Sequence, residues 1–456
     1  MTSAGTTTAK HHLGVRKLLA VADFRRLFAT RLAAQWGDGL FQAGLAGAVL
    51  FNPERHTDPL AVAAGFAVLL LPYSVVGPFA GALLDRWDRR RVLVVANLTR
   101  AVFILLTASA VGLGLDGVPL YTAALFVTGV SRFVGSGLSA SLPHVVEQDH
   151  LVEANAFVTT SGALTSVLGA ACAVGLRQLL GAGDGGSAWT TAFAVVGSLT
   201  AAFLASRFAK GRLGPDQVDE PSRTVTAVAM GLLDGGRAAW RTPSVAAALL
   251  ALLAHRVAFG VSLLLTLLLM RNAFTDVGPF KAGMAGLGEV AVAGGAGILV
   301  AGLVTDRLVD VLGRKGTVGA ALGLAAATQL GLGLPMLLPT TLAASFFLTF
   351  AGQVVKLCVD AAVQSDIGDE VRGRVFALYD TLFNATQVAA VSAAAAVVPL
   401  DGRSPGLIIA ATTAYLIGIP AYLLLSRRGE AVSPSSDHRL SPRRNRRPPP
   451  PARSRR

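Results

Sequence analysis

The chain has 456 residues, a net charge of +13 and a mean hydropathy of +0.57, with 53% hydrophobic but only 15% charged residues. A soluble domain carries roughly 25% charge, so this composition excludes a soluble globular protein and places most of the chain in lipid. Two cysteines, Cys172 and Cys358, both inside apolar stretches, exclude a disulfide framework.

In chain order, residues 1–29 hold Lys10, Arg16, Lys17, Arg25 and Arg26 and no apolar run ending in a small-residue cleavage site. They read as a cytoplasmic N-terminal segment rather than a cleaved signal. Apolar stretches of about 20 residues can cross a bilayer as helices. Twelve such spans are predicted, at 30–51, 60–84, 92–114, 119–142, 155–180, 188–207, 244–270, 283–305, 317–338, 341–363, 374–399 and 406–426. The third and ninth, which glycines interrupt, are the least sharply defined. The first six form an N-terminal bundle over 30–207 and the last six a C-terminal bundle over 244–428. Between them, the linker 208–243 is polar and carries Gly211, Gly214, Pro215 and Pro221. Within it an amphipathic helix over 224–240 is predicted, with Val225, Val228, Leu232 and Trp240 on one side, lying on the cytoplasmic surface. The tail 429–456 is rich in Pro, Ser and Arg, with Pro448 to Pro451 in a row, and is expected to be disordered. Its basic residues suit anionic membrane lipid.

The positive charge is distributed by side. With both termini inside, 31 of the 40 Lys and Arg residues fall on the cytoplasmic side and five on the outer side: Arg55, Arg177, Arg271, Lys281 and Arg403. That split follows the positive-inside rule and argues against nucleic acid as the partner.

Two short motifs mark a repeat. Gly81-Ala82-Leu83-Leu84-Asp85-Arg86 is followed by Arg89, Arg90 and Arg91, and Gly302-Leu303-Val304-Thr305-Asp306-Arg307 by Gly313-Arg314-Lys315. Asp85 and Asp306 stand 221 positions apart, nearly half the chain. Loop 4–5 carries Glu147, Asp149 and Glu153, and the same shift lands on Asp366, Asp369 and Glu370. Matched basic and acidic loops imply duplicated six-helix halves. They also supply expected partners: Arg89 and Arg90 for Glu147 or Asp149, and Arg314 or Lys315 for the 366–370 group.

Charge within lipid is costly and marks function by default. Span 1 holds Asp38, span 4 Arg132, span 7 His255 and Arg256, and span 10 Lys356 and Asp360. Charge on every third helix points to one polar cavity lined by these four. Arg100 of span 3, Glu289 of span 8 and Asp380 of span 11 break the pattern. Asp38, between Gly37 and Gly39, is the leading proton-coupling candidate, either free to take a proton or locked in a static pair with Arg132. Lys356 and Asp360 are spaced to pair along one helix face. His255 is either a group titrating near neutral pH or a hydrogen-bonded helix residue. Glu289 and Asp380 are second-tier candidates.

Over residues 20–428 the chain resembles the major facilitator superfamily. Gly81, Asp85, Arg86, Arg89 and Arg90 stand where that family's loop 2–3 signature wants them, with Asp88 replacing a usual glycine. The second copy, at Gly302, Asp306 and Arg307, is looser, with Leu308 to Leu312 inserted. The resemblance implies an all-α membrane fold of twelve helices in two pseudo-symmetric halves, with spans 1, 4, 7 and 10 lining the cavity. Asp23-Phe24-Arg25-Arg26-Leu27-Phe28 and Gly37-Asp38-Gly39 look like the branch of drug and siderophore exporters. The signature is expected to act as a latch, with Asp85 accepting from N–H groups at the start of span 11 and Asp306 facing the start of span 5 near Asn155. Antiporters of the family often carry a Gly-Pro-rich span 5; here Gly162, Gly169 and Gly175 occur without proline.

The expected function is secondary active transport of a small molecule across the cell membrane by alternating access, most consistent with proton-coupled efflux of a drug-like, siderophore-like or secondary-metabolite compound. An importer or facilitator on the same scaffold, and a non-transporting sensor, are the alternatives. No enzymatic motif, nucleotide-binding loop or metal-spaced His/Cys cluster occurs, so no cofactor or metal is expected and the energy is expected from an ion or substrate gradient. The other expected partners are protons and membrane lipid, around a monomer.

Overall fold

The computed structural model describes residues 15–50, 58–84, 87–147, 150–214 and 224–432. Asp85, Arg86 and Asp149 lie outside the described residues, as do 1–14 of the N-terminal segment, 215–223 of the linker and 433–456 of the tail. The chain is nearly all helix: α1 Val15–Ala20, α2 Ala22–Leu50, α3 Pro59–Leu84, α4 Arg89–Gly112, α5 Val118–Ser141, α6 Leu151–Leu180, α7 Asp184–Phe193 and α8 Val195–Ser206 make up the N-terminal half. After the linker helix α9 Thr224–Arg241 come α10 Pro243–Asn272, α11 Gly283–Thr328, α12 Leu338–Asp366, α13 Asp369–Ala395 and α14 Pro405–Val432. Eight helices among the described residues are long and apolar enough to cross a membrane. The element order accommodates twelve passes. The pair α7 and α8 supplies the sixth, and α11 supplies the eighth and ninth on either side of Gly313.

The break at Gly313 corrects one expectation. The eighth span was expected to end at 305, but α11 runs on through 306–312 and bends only at Gly313, where φ is 67° and ψ is 163°. That φ lies in the region glycine enters without steric cost. The inserted Leu308 to Leu312 thus prolong the helix, and Asp306 stays on an exposed helical surface without a hydrogen bond or ion pair among the described residues. Among the described residues it makes no contact with the start of span 5.

Close helix crossings hold each half together, and the repeat is visible in them. A Cβ built on Gly39 of α2 would sit 1.8 Å from the Ser166 carbonyl oxygen of α6, and one on Gly169 of α6 would sit 2.1 Å from the Trp36 carbonyl oxygen. Glycine at both positions lets the two backbones touch, as small residues do in membranes. Gly260 of α10 follows Gly39 by 221 positions and packs against Ala390 of α13, which follows Gly169 by the same 221. Gly37 of α2 and Gly197 of α8 make a second close approach in the N-terminal half.

The halves meet along α3, which packs on α13 and also touches α9 and α10. Val62 and Ala63 of α3 belong to the apolar core of the C-terminal half. Arg271 at the end of α10 donates to the Val49 carbonyl of α2, a second link between halves. Helix α9 forms where the amphipathic helix was expected. Its Gly235 lies against the Arg374 backbone of α13, and Asp234 pairs with Arg374 at 3.4 Å. Trp240 is exposed while Ala239 is buried, so the face against the protein is the small-residue face.

Candidate functional site

The basic residues after each motif tie neighbouring helices together. Arg89 Nη1 donates to the Ala140 carbonyl in the last turn of α5 at 2.8 Å and to the Leu213 carbonyl at 3.3 Å. Arg90 Nη2 donates to the Ser206 carbonyl at the end of α8 at 2.8 Å. After Gly313, Lys315 likewise donates to a backbone carbonyl, that of Ser426 within α14, at 3.0 Å. Cations suit the ends of α5 and α8 because the last carbonyls of a helix lack internal partners and carry the negative end of the helix dipole. The acidic-loop partnership predicted from sequence is therefore split. Arg314 does pair with Asp366, at 3.3 Å, and Asp366 also accepts from Ser244 of α10 at 2.6 Å. Among the described residues Arg89 and Arg90 serve backbone carbonyls; Asp149, one of their two expected acidic partners, lies outside those residues. Arg89 is 7% exposed, and Arg89→Ala is expected to lower stability by about 1.5–3 kcal/mol, the usual worth of hydrogen bonds to a charged group. Thermal unfolding of purified protein checks this, and an unchanged melting temperature would show that the clamp carries no stability.

The polar cavity of the N-terminal half has a volume of about 400 Å³ and lies between α2, α5 and α6, with Leu69 of α3 also on its wall. Arg31, Gln35, Asp38 and Gln42 line it from α2. Their spacings of four, three and four residues place them on one helix face. From α5 come Thr128, Ser131, Arg132 and Ser139, again at helical spacing, and Ser166 comes from α6.

Asp38 is an ion-paired carboxylate, and its partner differs from the one expected. Arg100 Nη1 donates to Asp38 Oδ1 at 2.7 Å, with Arg100 only 1% exposed. Ser131 Oγ donates to the same oxygen at 2.6 Å, and Arg100 Nε donates to Ser198 of α8 at 2.9 Å. The pairing with Arg132 is not formed. Arg100 comes from α4, behind the cavity wall, and reaches Asp38 between α2 and α5. A residue that broke the every-third-helix pattern is thus the centre of the network. Nothing in the linear pattern could place α4 behind that gap.

Arg132 is linked electrostatically to Asp380 of α13, which Lys356 also attracts and Asp360 repels. Asp380 is exposed, so the N-terminal and C-terminal halves face each other through charge at this point. Lys356 and Asp360 of α12 pair at 2.7 Å, as their spacing predicts. Arg256 of α10 donates to Gln387 of α13 at 2.7 Å. Its guanidinium lies 3.3 Å from the centre of the Phe383 ring and 5.7 Å from that of Phe259, a cation–π arrangement. His255 is buried, bonded through Nδ1 to the Tyr415 hydroxyl at 3.0 Å, and seated against Gly352 of α12, where any side chain would strike its ring. This geometry favours the hydrogen-bonded reading of His255. Glu289, near the start of α11, accepts from the Lys281 amide at 3.1 Å. Asp276 accepts from the Ala282 amide and from Lys281, so Glu289 belongs to a loop-anchoring group rather than to the polar cavity. Among the described residues no group of His, Cys, Asp and Glu could hold a metal ion.

Two helical halves joined by a linker, with close helix crossings at matching positions of the repeat, have the architecture of a membrane transporter. Comparison with known proteins gives the same answer. Residues 29–445 match the model of the Major Facilitator Superfamily, and the chain belongs to that family. It is 42% identical over 422 residues to an uncharacterized MFS-type transporter of Mycobacterium tuberculosis and, equally, to one of Mycobacterium bovis, covering 91% of this chain and 94% of each relative. Among solved structures, a POT family transporter crystallised in meso aligns with a TM-score of 0.66 at 12% identity, covering 92% of this chain and 99% of that one. A nucleoside transporter aligns with a TM-score of 0.61 at 11% identity, covering 89% and 99%. At these identities the likeness concerns the fold alone.

Proposed function

We propose that this chain exports a small amphipathic molecule from the cell in exchange for protons, in the cell membrane, with both termini in the cytoplasm. The observation that carries the coupling is the Asp38–Arg100 pair on the cavity wall. A carboxylate held between a buried arginine and a serine hydroxyl has two stable states. Ionised, it satisfies Arg100 and Ser131. Protonated, it releases both and changes the contact between α2 and the α4–α5 side of the cavity. A proton taken from cavity water at Asp38 Oδ1 or Oδ2 on one side, and returned on the other, ties the charge state of this network to the orientation of the halves. Alternation is a rocking of one half against the other about the α3–α13 seam, the usual consequence of a duplicated helical bundle. The distribution of Lys and Arg supports the orientation. The sequence wording around Asp23 and Gly37 supports export, although span 5 lacks the proline common in antiporters.

The test uses proteoliposomes and three dansyl probes of different charge: dansyl-glycine, dansyl-amide and dansyl-cadaverine. Antiport predicts that an acidic lumen drives accumulation of a transported probe, that a protonophore abolishes it, and that Asp38→Asn abolishes it as well. Symport would instead require an acidic exterior. Gradient-driven accumulation that is equal in wild type and Asp38→Asn would remove Asp38 from coupling.

A further inference from the structure

Resting on the transporter reading above, we infer that the cavity binds an organic oxyanion, its acidic group held by Arg31 and Arg132 and its apolar body turned toward the aromatic wall of the C-terminal half. The first support is the balance of charge. Asp38, the one carboxylate on the cavity wall, is neutralised by Arg100 from behind. Arg31 is 8% exposed, its Nε is buried without a hydrogen-bond partner, and its Nη1 donates only to Ser139 Oγ at 3.3 Å. It forms no ion pair among the described residues. A buried guanidinium served by one long hydroxyl contact is an incomplete site, because buried charge is stable only when paired and hydrogen-bonded. Its planar fork matches a carboxylate, phosphate or sulfonate. Arg132 stands on the same cavity wall, one position from Ser131.

The second support is the lining. Around the two arginines stand hydroxyls and amides, including Ser136, Ser139, Gln35 and Gln42, and no aromatic ring. Hydroxyls, amide N–H groups and guanidinium are the donors an oxyanion needs. A cationic ligand would find neither a free carboxylate nor a ring face on this wall. The third support is the asymmetry between halves. By the 221-residue repeat, Asp38 corresponds to Phe259, and Ser131 to Gly352, which makes room for the His255 ring. The C-terminal half therefore offers rings: the partly buried Phe259 and Phe383 around Arg256. The polar wall and the aromatic wall fit the two ends of one amphipathic anion.

Equilibrium binding to the purified full chain, read by dansyl fluorescence, tests this without transport. Dansyl-glycine is expected to bind at least about tenfold more tightly than dansyl-amide, the worth of one charge-assisted pair, and dansyl-cadaverine no better than the amide. Arg31→Gln should remove the preference and Arg31→Lys should keep part of it, with melting temperatures showing that both variants are folded. Equal binding of the three probes, no binding of dansyl-glycine, or a preference untouched by Arg31→Gln overturns the inference. Should Arg31→Gln fail to fold, Arg132→Gln carries the same expectation. Selective anion binding without gradient-driven flux would leave the site standing and sink the transport reading; flux without charge preference would do the reverse.

Discussion

Replacing Arg100 with Leu is expected to destabilise the protein by about 3–5 kcal/mol, because it strands the Asp38 carboxylate beside an apolar side chain with only Ser131 to serve it. Adding Asp38→Asn in the same chain should restore most of that loss, since breaking a buried pair costs far more than replacing both partners by neutral groups. Asp38→Asn alone leaves the Arg100 charge, 1% exposed, with only neutral acceptors, the Asn amide oxygen and the hydroxyls of Ser198 and Ser131, and should also be destabilising. Thermal unfolding of the three purified variants gives the coupling directly as a double-mutant cycle. A double variant no more stable than the sum of the singles predicts would mean that the pair is not a unit. The functional readout separates coupling from folding. In the double variant, stability returns but gradient-driven accumulation does not, because the group that exchanges the proton is gone. Recovery of both would assign the pair a purely structural role.

How much of this was legible in the sequence depends on what each residue answers to. The architecture was readable because lipid imposes a length and an apolarity on every span, and because the repeat left basic clusters at a fixed offset. The clamp at Arg314–Asp366 followed from the same offset. The Lys356–Asp360 pair followed from helical periodicity alone, since both residues belong to one helix. What failed was the pairing of Asp38 across the cavity wall. Asp38 and Arg132 were matched because both fell on helices expected to face the cavity. The true partner, Arg100, reaches in from a helix behind that wall, and only the packing of α2, α4 and α5 places it there. Arg31 went unnoticed as a site residue because it sits at the basic end of its span, where topology already accounts for a positive charge. Its seven-residue distance from Asp38, two turns along one face, was the signal that could have found it.

The second large effect is expected at the α2–α6 crossing. Gly169→Ala would place a methyl group 2.1 Å from the Trp36 carbonyl oxygen and 3.0 Å from the Leu40 amide nitrogen. Both are backbone atoms of a helix and cannot yield as a side-chain tip would. Overpacking of this kind costs about 1–3 kcal/mol or more. Two positions grade the prediction. Gly175, on the same helix, has nothing within 4 Å of a built Cβ. Gly175→Ala should leave stability unchanged or raise it by up to about 1 kcal/mol, as glycine is the poorer helix former. Gly260, the counterpart of Gly39, faces the Ala390 methyl and the Gln387 carbonyl oxygen, each at 3.1 Å, so Gly260→Ala should fall between the two. Melting temperatures in the order Gly175→Ala, Gly260→Ala, Gly169→Ala are the expected result, and equal values for Gly175→Ala and Gly169→Ala would refute the close crossing. The consequence reaches function through rigidity. Asp38 is flanked by Gly37, against Gly197 of α8, and Gly39, against Ser166 of α6. The two glycines fix α2 to both neighbours at the level of the carboxylate. If a proton at Asp38 is to move one half against the other, α2 must not slide within its own half, and these crossings are what prevent it.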